Sequence, residues 1–465
     1  MAERRRAAAA LAVVAVVAVG CSSPAESDES PGGPGPNVGP PGVTSEEAKK
    51  LLNLRYSEAA PPLDPSNRVA GNADAKRLGQ RLFFDMSLSG PLLEGDNDGT
   101  SGSLGLEGEA GRVSCAGCHL PQANFVDTRS PHQQISLAAQ WTRRRTPTLL
   151  EVGFAPLLNW DGRRDSIWSQ AIGVFESDQE FNSSRLFIAR QVLAAYGAEY
   201  TALFGAPPAL DDTARFPSLS PEKAGCVERR TAAGIVLECH GKPGDGAEYD
   251  GMEPDAQAAV TEVTVNAAKA IAAYVADLRC GASRFDAWLD GDATALTESE
   301  VRGARLFVGR GECASCHSGP NLTDGEFHNV GLSPAPVAVA FVDSNDRGAA
   351  EGIPLLADDP LSTRGPFSDG VRDVVPAPST EHEGAFRTPT LRCLLGQPSF
   401  FHTGQMRSLE QAVSFFDRGG DPAGYPGVNE LRRLNLTDEE RADLVAFLGA
   451  LEGPGPAAEL LEKPQ

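Results

Sequence analysis

Two pentads of the form Cys-x-x-Cys-His, Cys115-Ala-Gly-Cys118-His119 and Cys313-Ala-Ser-Cys316-His317, constrain this chain more than any other feature. With nine cysteines and seven histidines among 465 residues, two such pentads do not arise by chance. Two thiols separated by two residues can add to the two vinyl groups of one haem, and the adjacent His then points its imidazole at the iron. A zinc site would need a second Cys pair or a spaced His pair to close its shell, and neither motif has one. A thioredoxin-like redox pair needs a βαβ setting, which the pattern does not supply. The reading is two covalently bound c-type haems, with His119 and His317 as the proximal ligands.

The N-terminus reads as a targeting segment. Arg4, Arg5 and Arg6 precede an apolar run from Ala7 to Val19, too short for a membrane span, that ends at Gly20-Cys21; a basic start, a short apolar core and a small residue before the break describe an export signal. The ending Ala18-Val19-Gly20-Cys21 resembles a bacterial lipobox, which would make Cys21 a lipidated first residue anchored to a membrane. A Ser-, Pro- and Gly-rich stretch to about Val43 then serves as a flexible tether. The expected location is the periplasm or a periplasm-facing membrane, where disulfides are allowed. Cys226, Cys239, Cys280 and Cys393 are an even four; the simplest pairing is Cys226 with Cys239 and Cys280 with Cys393, although three pairings, or four free thiols, are open. A net charge of −22 excludes bulk attraction to nucleic acid or to anionic lipid and leaves a basic partner as one that would be steered in.

Helical signals dominate the remainder. Thr44 with Glu47, Thr297 with Glu300 and Thr437 with Glu440 have capping-box spacing. Val260, Val263, Ala267, Ile271, Tyr274 and Leu278 share one face of a helix expected from Ala256 to about Arg279, and a last helix is expected over Thr437–Leu451. The chain also resembles itself: Gly79-Gln-Arg-Leu-Phe83 recurs as Gly303-Ala-Arg-Leu-Phe307, each ahead of a Cys-x-x-Cys-His, and Arg145-Thr-Pro-Thr-Leu149 recurs as Arg387-Thr-Pro-Thr-Leu391. Thirteen residues beyond the proline of each block stands Trp160-Asp-Gly or His402-Thr-Gly. The expected fold is mainly α, with two cytochrome c-like haem domains related by internal duplication and joined by long loops. Its boundaries are 1–20 for the signal, 21–65 for the tether and first helix, 66–280 for the first haem domain with an insertion over about 206–255, 281–455 for the second, and 456–465 for a tail.

The double Cys-x-x-Cys-His, Leu82-Phe-Phe-Asp85, Arg145-Thr-Pro-Thr148, Asn159-Trp-Asp-Gly-Arg163, Phe386-Arg-Thr-Pro-Thr-Leu391 and Phe401-His-Thr-Gly404 together resemble the bacterial di-haem cytochrome c peroxidase family, which includes MauG. The resemblance covers roughly residues 66 to 452 apart from the insertion. It implies that the first haem is peroxidatic, with Glu180 as distal acid/base, Gln170 beside it and Trp160 between the haems as an electron relay. The second haem would collect electrons from a donor such as cytochrome c or a small copper protein, and the substrate would be hydrogen peroxide. Two further readings stand beside it: a MauG-like enzyme that oxidises residues of a partner protein, and a di-haem electron carrier without catalysis.

Three departures from the family pattern matter. Some members place a loop His on the first iron, but a gap-free count lands on Leu137, with His132 five residues away as the candidate. The family's calcium uses an Asn where this chain has Arg145, which leaves calcium uncertain, since a cation repels the ion. The second iron's Met or Tyr ligand falls on Phe416, which has no lone pair; Met406 is the nearest candidate, and a five-coordinate or water-bound iron is the favoured alternative. Intact mass after denaturation should show two haem equivalents retained on the chain; any smaller number removes the reading of the two pentads.

Overall fold

Two helices that precede the haem-type motifs pack through a glycine. The computed structural model describes residues 40–129, 135–231, 234–333, 346–421 and 427–464. Helix α1 spans Ser45–Leu52 and α2 spans Ala73–Phe83; α3 (Ile167–Glu176), α4 (Arg185–Phe204) and α5 (Pro254–Val275) follow. After them come α6 (Arg284–Leu289), α7 (Glu298–Val308), α8 (Leu409–Asp417) and α9 (Asp438–Gly449). A Cβ on Gly79 of α2 would stand 1.9 Å from the Ala270 carbonyl oxygen of α5, and one on Gly303 of α7 would stand 2.1 Å from that of Asp443 in α9. Only glycine lets either helix pair approach that closely.

The three capping boxes form as their spacing predicts, with both the side-chain and the reciprocal backbone bonds in place at Thr44, Thr297 and Thr437. Helix α5 stops at Val275, a turn earlier than the apolar pattern suggests, because Ala276–Leu278 tighten into a turn in which the Asp277 and Leu278 amides reach back only three residues.

Two apolar cores result. One gathers α2, α3, α4 and α5 around Trp168, Phe83, Phe125, Phe175 and Tyr274; the other gathers α6, α7 and α9 around Phe285, Trp288, Phe307 and Phe447. The chain ends cross between them. Leu51 and Leu54, at the start of the described chain, are buried in the second core, whereas Leu460 and Leu461 pack on the first. Gln80 donates to the carbonyls of Glu459 and Glu462, and the buried Arg392 guanidinium donates to the Leu54 carbonyl (2.8 Å) and to Asp286 (2.6 Å).

Strands are few, and the segment expected to be a loop-rich insertion contains one antiparallel hairpin, β1 (Cys226–Thr231) with β2 (Gly234–Cys239). Its charged residues hide the alternation that would have marked it. A second pair, β3 (Phe327–His328) with β4 (Phe386–Arg387), is only two residues long. No helix among the described residues is long and apolar enough to cross a membrane. The export signal and Cys21 lie outside the described residues.

Both disulfides form in the simplest pairing: Cys226–Cys239 across the hairpin and Cys280–Cys393, which joins the segment after α5 to the loop following the second Arg-Thr-Pro-Thr block. Cys280–Cys393 closes a loop of 113 residues against 13 for the other, so it should restrict the unfolded chain more. Cys393→Ser is expected to cost about 2–4 kcal/mol, and Cys239→Ser less. Denaturant midpoints of the two variants check the order.

Candidate haem sites

Each motif histidine is held in the same way. The Nδ1 of His119 lies 3.0 Å from the Phe125 carbonyl oxygen, and that of His317 lies 3.0 Å from the Leu322 carbonyl oxygen. Donation from Nδ1 fixes the tautomer that leaves Nε2 free to bind a metal and raises its basicity. The accepting carbonyls are presented by backbone in the left-handed region, at φ 57° for Phe125 and 52° for Leu322. A threonine of each Arg-Thr-Pro-Thr block ties down the preceding carbonyl: Thr148 Oγ1 donates to Asn124 O at 2.6 Å, and Thr390 Oγ1 donates to Asn321 O at 2.7 Å. The motif that served as a repeat marker in the sequence is therefore the clamp of the histidine loop. Burial holds both imidazoles below their ordinary pKa, in the neutral form that ligates iron.

The four thiols of the pentads are the cysteines outside the disulfides among the described residues. Burial pushes Cys115, Cys118 and Cys313 up to about 12, which makes them poor free nucleophiles and poor redox pairs. Cys316 stands with Asp324 and His328 at metal-like spacing. Hydrogen bonds from His328 to Asp324 (3.0 Å) and Glu430 (2.7 Å) occupy both ring nitrogens, and its pKa is raised to about 11, chiefly through Asp324; an imidazolium does not ligate zinc.

Beside the second motif lies a cavity of about 570 Å³, within the range of cofactor sites. Cys313, Cys316 and His317 line it with Phe307, Leu391, Leu394 and Leu444, and so do Arg145, Trp160 and Arg387. Leu409, Ala412, Val413 and Phe416 present one face of α8 to it. Phe416 stacks on Phe401 at 5.8 Å. Met406 is not among the lining residues; its carbonyl is taken by the Phe400 amide at 2.7 Å. The wall thus offers a phenyl ring where an iron ligand was sought. Two thiols, an oriented imidazole, apolar walls and a buried guanidinium, Arg145, whose Nε has no partner, fit an amphipathic macrocycle with acidic edges.

At the first motif Glu180 is half-buried, and desolvation raises its pKa against the opposing influence of Arg163. Its charge in turn raises the pKa of Cys115 and Cys118, which places the carboxylate in electrostatic range of the pentad. Gln170, from α3, accepts a hydrogen bond from Asn159 Nδ2 at 2.7 Å, a partner the spacing argument did not identify. The segment from Ile135 to Gln140 runs alongside, with the Ala139 and Gln140 amides donating to the Glu180 and Gln179 carbonyls at 3.1 Å. Leu137 is buried there, and His132 lies outside the described residues.

Between the motifs, the two Arg-Thr-Pro-Thr blocks cross. The Arg145 amide donates to the His402 carbonyl (2.7 Å), and the Arg387 amide donates to the Trp160 carbonyl (2.8 Å). Trp160 is buried, its Nε1 donates to the Arg145 carbonyl at 2.8 Å, and its ring lies 6.2 Å from that of His402, which stacks on Phe386 at 3.5 Å. Burial lowers the His402 pKa to about 3, so the aromatic stack is uncharged at neutral pH.

Residues 73–294 match the family model of di-haem cytochrome c peroxidases. The chain is 28% identical to the methylamine utilization protein MauG of Methylorubrum extorquens over 83% of its own length and 80% of that protein's. It is 25% identical to the cytochrome c551 peroxidase of Nitrosomonas europaea, covering 85% of each. The fold is similar to the crystal structure of the di-haem peroxidase BthA from Burkholderia thailandensis, with a TM-score of 0.56 at 22% identity, covering 87% of this chain and 93% of that one. Over residues 73–294 the chain carries the pattern of the di-haem cytochrome c peroxidase family, and most of its length is similar to relatives named MauG and cytochrome c551 peroxidase.

Phe416→Met should convert the second haem to a low-spin His/Met form, read by EPR and by the optical spectrum. A wild type that already shows that signal, and loses it in Met406→Ala, would remove Phe416 from the iron's face.

Proposed function

We propose that the protein is a di-haem c-type peroxidase that reduces hydrogen peroxide to water with electrons from a small redox protein such as cytochrome c. The observation that carries this reading is Glu180: a half-buried carboxylate with a raised pKa, in electrostatic range of the first pentad. When bound, the haems supply one-electron redox centres and the iron at which peroxide is reduced. Overall, one peroxide, two protons and two electrons give two waters. Glu180 accepts the proton of one peroxide oxygen and returns it to the other, and the amide of Gln170, fixed by Asn159, holds the geometry. Trp160, buried beside His402, offers an aromatic step between the two sites.

The reading extends to two haem domains produced by duplication. Supporting it are the paired histidine–carbonyl bonds, the paired threonine clamps and the paired glycine contacts of α2 and α7. A periplasmic site with a lipid anchor at Cys21 is part of the same proposal, supported by the N-terminal pattern and by two disulfides that suit an oxidising compartment.

The test is steady-state peroxide turnover with reduced cytochrome c, with and without pre-reduction. Peroxide consumption without oxidation of the cytochrome would favour the MauG-like reading, and no consumption would leave an electron carrier. Glu180→Gln should keep both haem spectra and lower turnover by about 10² or more. Because Glu180 must be ionised to accept a proton, wild-type kcat/KM should fall as pH drops through its raised pKa, and the variant should lose that limb. A raised carboxylate pKa means that folding disfavours the charge above the unfolded-state pKa. Thermal melts at neutral pH should therefore show Glu180→Gln at least as stable as wild type.

A further inference from the structure

The charges lining the second cavity do not balance. Glu151 pairs with Arg279 at 2.6 Å, Asp324 and Glu430 both bond His328, and Glu312 pairs with Arg432, so each lining carboxylate already has a cation. His402 is neutral. What is left over is two guanidiniums, Arg145 and Arg387. Neither has a carboxylate partner among the described residues. Arg145 donates from Nη2 to the amide oxygen of Gln397 (2.6 Å) and has an orphaned Nε; Arg387 donates from Nε to the Asn159 carbonyl (3.1 Å). Their neighbour Arg144 is the contrast, since it is bonded to both Asp161 and Asp346 at 2.6 Å.

We propose that Arg145 and Arg387 are positioning residues that clamp the two carboxylates of the second haem. The inference rests on the reading that Cys313, Cys316 and His317 carry a covalent haem, whose macrocycle the apolar wall accepts and whose two acidic side chains supply the two missing negative charges. Burial lowers both guanidines to about 10, with no nearby anion to offset it, yet leaves them charged at neutral pH. Arg145 is buried and Arg387 half-buried; an unpaired cation withdrawn from water is strongly unfavourable, and a planar guanidinium matches a carboxylate with two donors. The clamp also spans the repeat, because Arg145 comes from the first Arg-Thr-Pro-Thr block and lines the cavity of the second motif. Fixed positive charge at the carboxylates stabilises the reduced iron relative to the oxidised iron, which carries one more positive charge, and so raises the potential of that haem.

The test uses the full chain loaded with both haems, compared with Arg145→Gln, Arg387→Gln and the charge-preserving Arg145→Lys and Arg387→Lys. Spectroelectrochemical titration should show one of the two one-electron steps move to lower potential in the Gln variants and stay near wild type in the Lys variants. Resonance Raman should show the haem propionate bending band shift in all four, because Lys cannot reproduce the forked bond. An unchanged band overturns the clamp, and this holds for the Lys variants alone if the Gln variants do not fold. A wild-type potential that responds to inorganic phosphate at constant ionic strength also overturns it, by assigning the site to a free anion. Fewer than two haems by intact mass would instead sink the underlying haem reading.

Discussion

Everything near the two pentads depends on a backbone carbonyl that accepts the Nδ1 hydrogen of the motif histidine. That bond sets which nitrogen faces the metal, and it requires the chain to turn back on itself through the left-handed region at Phe125 and at Leu322. Such a turn is unfavourable for a bulky side chain unless other bonds hold it. Thr148 and Thr390 provide those bonds, and each is fixed in a block that also carries the crossing contact to the other half of the molecule. The orientation of one imidazole is thereby linked to the packing of both halves.

The crossing itself is economical in atoms. Two amides, two carbonyls and the Trp160 indole bring the buried Arg145, Trp160 and His402 together with the half-buried Arg387. The neutral His402 and its stack on Phe386 keep that cluster aromatic, while Arg144 carries its charge away to Asp161 and Asp346. The same few residues therefore serve as interface, as aromatic path and as cavity wall.

Short-range chemistry was the legible part of the sequence. Pentads, capping boxes and the long apolar face of α5 each lie within one element, so their spacing reports their geometry; four cysteines allowed three pairings, and the packing settles on the simplest one. The hairpin at Cys226–Cys239 escaped notice because Glu228, Arg229 and Glu238 interrupt its alternation. The arginine pair was out of reach for a different reason: Arg145 and Arg387 stand in Arg-Thr-Pro-Thr blocks far apart in the sequence, and only the structure reveals that they line one cavity. Glu180 lay between these cases, since its position came from the family pattern while its partial burial came from tertiary packing.

The exchanged chain ends have a consequence for the order in which the molecule is completed. Leu51 and Leu54 find their core only among residues that follow Arg284, and the first core is closed by Leu460 and Leu461 at the far end of the chain. Contacts of such high sequence separation form late, after the local turns and helices. During synthesis from the N-terminus, the first pentad therefore emerges into a half-built shell, and the chain does not seal either half until its last helix and tail have arrived. A large, rigid group has that interval in which to reach the thiols before the walls close around them.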